Sequence, residues 1–112
     1  MLETENILKE FLVQNNAETA LITNYFGEVI VSVNVDHSDS IAAMSSAILS
    51  MCDKYLEDLE KDSLKQLMIK TTDGIIIFAK INDGKVLILN AKSGGNLGMF
   101  LHQSELLAKK LN

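Results

Sequence analysis

The chain has 112 residues, 47% hydrophobic and 22% charged, with a net charge of −5; that is the size of one domain (expected over residues 1–112) and the composition of a globular rather than a disordered chain. Its 10 basic residues are all Lys and are scattered, so there is no electrostatic footprint for nucleic acid or anionic lipid. One cysteine allows no intramolecular disulfide, MLETENILKE lacks the basic and apolar regions of a signal peptide, and no apolar run reaches the roughly 20 residues of a membrane span, so a soluble cytoplasmic protein without membrane insertion is expected.

Thr4 to about Asn15 reads as a short amphipathic helix. Ile7 and Phe11 stack at one i,i+4 spacing and Leu8 and Leu12 at another, with Thr4 a candidate cap and Asn15-Asn16 the stop. AETALIT from Ala17 and EVIVSVN from Glu28 are rich in β-branched and apolar residues. They flank Asn24-Tyr25-Phe26-Gly27, where Gly27 accepts positive φ, and so predict a hairpin. In its second strand Val29, Val31 and Val33 alternate with Glu28, Ile30, Ser32 and Asn34, which marks one buried face.

The polar cluster Asp36-His37-Ser38-Asp39-Ser40 offers several N-caps for the longest helical signal, Asp39 to Lys61. At roughly 100° per residue, Ile41, Met44, Ala47, Ile48, Leu49, Met51, Cys52, Tyr55, Leu56 and Leu59 form one arc, with Ser46, Ser50, Asp53, Glu57, Glu60 and Lys61 opposite. The apolar arc covers about 200°, whereas a helix lying on one core needs little more than about 100°. One sheet cannot cover it. One flank is therefore expected to pack on the sheet, and the other, including Met44, Met51 and Tyr55, to meet a second protein surface. Glu57 and Lys61 are expected to pair at i,i+4 near its end.

Three strands follow: LKQLMIKT from Leu64, IIIFAKI from Ile75 and KVLILNA from Lys85, joined through the hairpin signals Asp73-Gly74 and Asn82-Asp83-Gly84. The last two are almost continuously apolar and belong in the sheet centre; LMI reads as an edge. After Lys92-Ser93-Gly94-Gly95-Asn96 a closing helix runs from about Leu97 to Leu111, carrying Leu97, Phe100, Leu101, Leu107, Ala108 and Leu111 at helical spacing. Asn96 is its candidate cap, and Lys109 and Lys110 suit its C-terminal dipole.

The two-strand hairpin, the long Ser/Ala/Met-rich helix and LMIKTTDGIIIFAKINDGKVLILNAKSGGNLGMF resemble the roadblock/dynein light-chain family over essentially the whole chain. NYFGE stands where relatives often carry an Asp-Gly turn. The resemblance implies an α+β, profilin-like fold in the order α-β-β-α-β-β-β-α, with a five-stranded antiparallel sheet flanked by helices. It implies a homodimer formed through the long helix and the adjoining edge strand. It also implies regulation or scaffolding of a small Ras-like GTPase, including as a GTPase-activating subunit, or an adaptor role in motor complexes, without an active site or cofactor. The interface set is Met44, Ile48, Met51, Cys52, Tyr55, Leu59, Leu67, Met68 and Ile69.

Other chemistry is weakly signalled. Ser93-Gly94-Gly95-Asn96-Leu97-Gly98 before a helix suits a phosphate nest but matches no Walker A motif; a small-ligand or nucleotide sensor using the Gly94-Gly95 turn is the alternative reading. Asp36, His37 and Asp39 have no second His or Cys at metal-ligand spacing. Cys52 reads as a small core hydrophobe, His102 as a surface residue, and Ser45, Ser46 and Ser50 as small contacts rather than nucleophiles. Met44, Met51 and Met68 suit either a core or an adaptable contact surface.

Overall fold

The computed structural model describes residues 2–82, 84–92 and 95–112; Asp83 of the last predicted turn, and Ser93 and Gly94 of the Gly-rich link, lie outside the described residues. The elements are α1 (Leu2–Gln14), β1 (Ala17–Asn24), β2 (Val29–Val33), α2 (Ser38–Asp58), β3 (Gln66–Lys70), β4 (Gly74–Ile81), β5 (Lys85–Lys92) and α3 (Leu97–Lys110). One antiparallel sheet runs β2-β1-β5-β4-β3, so the α2 connection passes from one sheet edge to the other. At 21 residues α2 is about 30 Å long, enough to cross five strands. The two continuously apolar strands, β4 and β5, lie inside the sheet, and the short β3 is an edge as its sequence suggests.

Strand alternation divides the apolar residues between two layers. Ala20, Ile22, Ile75, Ile77, Ala79, Leu87 and Leu89 meet Leu8, Phe11 and Leu12 of α1 and Phe100, Leu107 and Ala108 of α3. Leu21, Phe78, Val86 and Ile88 face the other way, against Ala42 and Leu49 of α2. A register shift separates the pairs Ile22–Val31 and Thr23–Val29. This irregularity turns Val29 to the α2 layer while Val31 and Val33 stay in the first, so the simple alternation expected of the three valines is broken.

Three local expectations need correction. Thr4 lies inside α1, which begins at Leu2, so it is not the cap. Gly74 is not the left-handed turn residue implied by Asp73-Gly74; it is the first residue of β4, and a Cβ there would stand 2.6 Å from the Ala91 carbonyl oxygen. Its glycine is required by close approach. Lys61 lies beyond α2, which stops at Asp58, so the helical pairing with Glu57 cannot form; Lys54 and Asp58 pair instead at 2.8 Å. The stop is set by Glu60 at φ 57, with Glu60 N–H donating to the Glu57 carbonyl and Lys61 N–H to that of Leu56, a Schellman closure.

Candidate functional site: the outer flank of α2 and the β3 edge

The start of α2 is backbone-made. His37, at φ 56, is the N-cap residue, with no side-chain cap bond from any of the polar candidates around it. Ala42, Ser45 and Leu49 then face the sheet and are buried. A serine is tolerated there because its hydroxyl donates to the Ile41 carbonyl at 2.7 Å, leaving no unsatisfied polar group.

Ser46 and Asp53, assigned by periodicity to the polar arc, are half-buried and bonded to other elements. The Ser46 hydroxyl donates to the Tyr25 carbonyl, Gly27 at φ 83 brings the β1–β2 turn against Ala43, and Asp53 meets Lys80 at 3.0 Å. Lys80 Nζ also lies 5.5 Å from the centre of the Tyr25 ring. Burial pulls the Lys80 pKa down, but the neighbouring Tyr25 hydroxyl and the Asp53 carboxylate outweigh it and hold the ammonium above its ordinary value. This flank is anchored. Sequence reasoning missed it because the one-heptad spacing of Ser46 and Asp53 is visible, whereas their partners are distant in the chain.

The opposite flank is open. Met44 is 53% exposed, Met51 74%, Tyr55 67% and Leu59 52%, and between them Ile48 and Cys52 are half-buried. Of the β3 residues, Leu67 and Ile69 are half-buried toward α2 beside Ile76, while Met68 pairs with Ile77 and points to the other face, 42% exposed. The nine expected interface residues therefore do not form one patch. Eight lie on the α2 side, and Met68 is separated by strand alternation. The methionines at 44, 51 and 68 are too exposed for plain core. Cys52 is free and half-buried rather than fully in the core, and His102 is exposed.

The two sheet edges differ as well. β2 carries the irregularity at Val29–Val31, which disrupts regular pairing, whereas β3 pairs with β4 in unbroken register from Gln66 to Lys70 and presents its outer backbone edge. Among the described residues no group of three His, Cys, Asp or Glu side chains is placed to hold a metal ion, Asp36, His37 and Asp39 included. No helix among them is long and apolar enough to cross a membrane.

The Roadblock/LC7 domain model matches residues 3–91. No curated protein matches the chain in sequence. Solved structures match it closely in shape. MglB of Myxococcus xanthus superposes with a TM-score of 0.91 at 11% identity, covering 97% of this chain and 91% of that one. A structure described as MglB with tetrameric arrangement gives 0.89 at 15% identity, covering 98% and 85%. A Roadblock/LC7 domain from Streptomyces avermitilis gives 0.87 at 14% identity, covering 96% and 92%. At these identities the likeness is one of fold.

Proposed function

Because the chain belongs to the Roadblock/LC7 domain family, we propose that residues 1–112 act as one non-catalytic module that pairs with a second copy through α2 and β3 and regulates or scaffolds a small Ras-like GTPase in the cytoplasm. The observation that carries this reading is the open flank of α2, where Met44, Met51, Tyr55 and Leu59, each at least half exposed, recur along one side of a single helix. Moving a large apolar side chain from water into an interface contributes about 1.5–3 kcal/mol. In a twofold pair each of the four is buried twice. The regular β3 edge adds backbone pairing that would extend the sheet and protect the edge. The proposed contact set is Met44, Ile48, Met51, Cys52, Tyr55, Leu59, Leu67 and Ile69 with the β3 backbone; Met68 contributes from the far face.

The chemistry of regulation is constrained by what the chain lacks. It has no Arg, the side chain that supplies a planar fork to transition-state charge in phosphoryl transfer; Lys offers only a point charge. Acceleration of GTP hydrolysis would therefore come from binding the GTPase in the conformation that orders its own catalytic groups. The test takes the GTPase captured from the native source and replaces each exposed Lys of this chain singly. Stimulation that survives every Lys change supports the reading. One Lys change that abolishes stimulation by orders of magnitude while binding persists overturns it.

A further inference from the structure

All four methionines among the described residues, Met44, Met51, Met68 and Met99, are exposed, and none belongs to either layer of the core. A thioether packed in a core is shielded from oxidants; these sulfurs are open to them. Two of the four stand together. Met44 and Met51 lie two helical turns apart, about 10 Å, on the open flank of α2, with Ile48 between them and Tyr55 one turn further on.

The other two lie elsewhere. Met68 points to the α1/α3 face of β3, and Met99, in the first turn of α3, has its sulfur 3.7 Å from Gln103 Nε2. Met44 and Met99 are equally exposed, at 53%, so the single chain offers both sulfurs to solvent alike. Leucine at 44 and 51 would fill an apolar contact of similar volume. What methionine adds is a second, polar state that is reached by oxidation and can be reversed.

We propose, building on the pairing of α2 with a second copy, that Met44 and Met51 make that pairing sensitive to peroxide. The thioether sulfur gives an electron pair to one oxygen of hydrogen peroxide. The S–O bond forms as the O–O bond breaks, and the proton left on the new oxygen passes to the departing hydroxide, giving one sulfoxide and one water. The sulfur is oxidised by two electrons and the peroxide reduced by two. A twofold pair then has four S–O groups to bury, two from each copy, beside the apolar Ile48, Cys52 and Leu59, whereas the single chain keeps them hydrated. Oxidation therefore favours the single chain. Pairing covers the same sulfurs, so the two processes oppose each other, and dilution of the chain promotes the reaction.

The experiment treats the intact chain with hydrogen peroxide and follows it by light scattering, peptide mass spectrometry and circular dichroism. Met44 is expected to oxidise more slowly than Met99 where the chain is paired, and as fast after dilution into the single-chain range. With Met44 and Met51 both converted, pairing should weaken roughly a hundredfold while helical and strand signals stay unchanged. The two methionine sulfoxide reductases, one for each epimer, should then restore the dimer. Met44→Leu/Met51→Leu is expected to pair like wild type and to stay paired in peroxide, although Cys52, Met68 and Met99 remain. A dimer that persists with both sulfoxides formed, a leucine variant that still separates in peroxide, or separation accompanied by loss of the secondary-structure signals would each overturn the proposal and leave the pairing reading standing. A dimer in which Met44 oxidises as fast as Met99 would put the contact elsewhere and overturn the proposal too. Wild type at the single-chain mass before peroxide is added would overturn the pairing reading and the proposal together.

Discussion

On the α1/α3 side of the sheet Ile77, Leu87 and Leu89 are fully buried beneath two helices, with Leu8 of α1 buried against them, whereas on the α2 side Ile48, Leu67, Ile69 and Ile76 stay half-buried and Met51 and Tyr55 lie open. Large apolar residues stand on both faces of the strands, so what covers each face sets much of the difference. Two helices close the first layer; one helix, anchored along one flank by Ser46 and Asp53, cannot close the second. The first layer is a finished core. The second leaves apolar side chains open, and they lie on the helix whose arc is too wide for one sheet.

The largest effect should come from breaking the finished layer. Leu89→Ala, at a position with no exposure, is expected to cost about 2–5 kcal/mol in urea unfolding, because the packed surroundings cannot collapse into the space. Gly74→Ala should cost about 1–3 kcal/mol by pressing a methyl group against the Ala91 carbonyl, and more than Gly84→Ala has from crowding, since Gly84 has open space around its missing Cβ. On the α2 side the sign can reverse. Thr23 is completely buried with no hydrogen-bond partner for its hydroxyl among the described residues, opposite Val86 of that layer, so Thr23→Val should stabilise by about 1 kcal/mol in the same assay.

The anchored flank should show a smaller, pH-dependent term. The Lys80 pKa is raised on folding, so its contribution is fully present below the ordinary lysine value of 10.5 and is lost as pH rises through the higher folded-state value. Lys80→Met should therefore cost about 0.5–1 kcal/mol at neutral pH, as expected of a partly exposed pair, and the gap from wild type should narrow above that value. A gap that widened with pH would contradict the assignment.

How far the sequence foretold this depended on whether the signal was local. β4 and β5 were legible from the unbroken runs Ile75–Ala79 and Val86–Leu89, and Asn96 was legible as a cap because its position before an apolar period states its role. The open flank of α2 followed from the width of its arc. Strand alternation within Leu67-Met68-Ile69 would have separated Met68 from its neighbours had it been applied to the interface set. The rest depends on pairing or backbone geometry. The register irregularity that turns Val29 exists only against β1, and the partners of Ser46 and Asp53 come from other elements. The left-handed residues at His37 and Glu60 carry neither Gly nor Asn to announce them.

The central claim is that the open flank of α2 meets a second copy, and light scattering at low micromolar concentration, with Met51→Lys measured alongside, addresses it directly. Wild type is expected at twice the 12.3 kDa chain mass. The variant, with a charge in place of a side chain 74% exposed, is expected at the single-chain mass with unchanged helical and strand signals. A wild type that runs as a clean monomer, or a Met51→Lys protein that stays dimeric, would contradict the account.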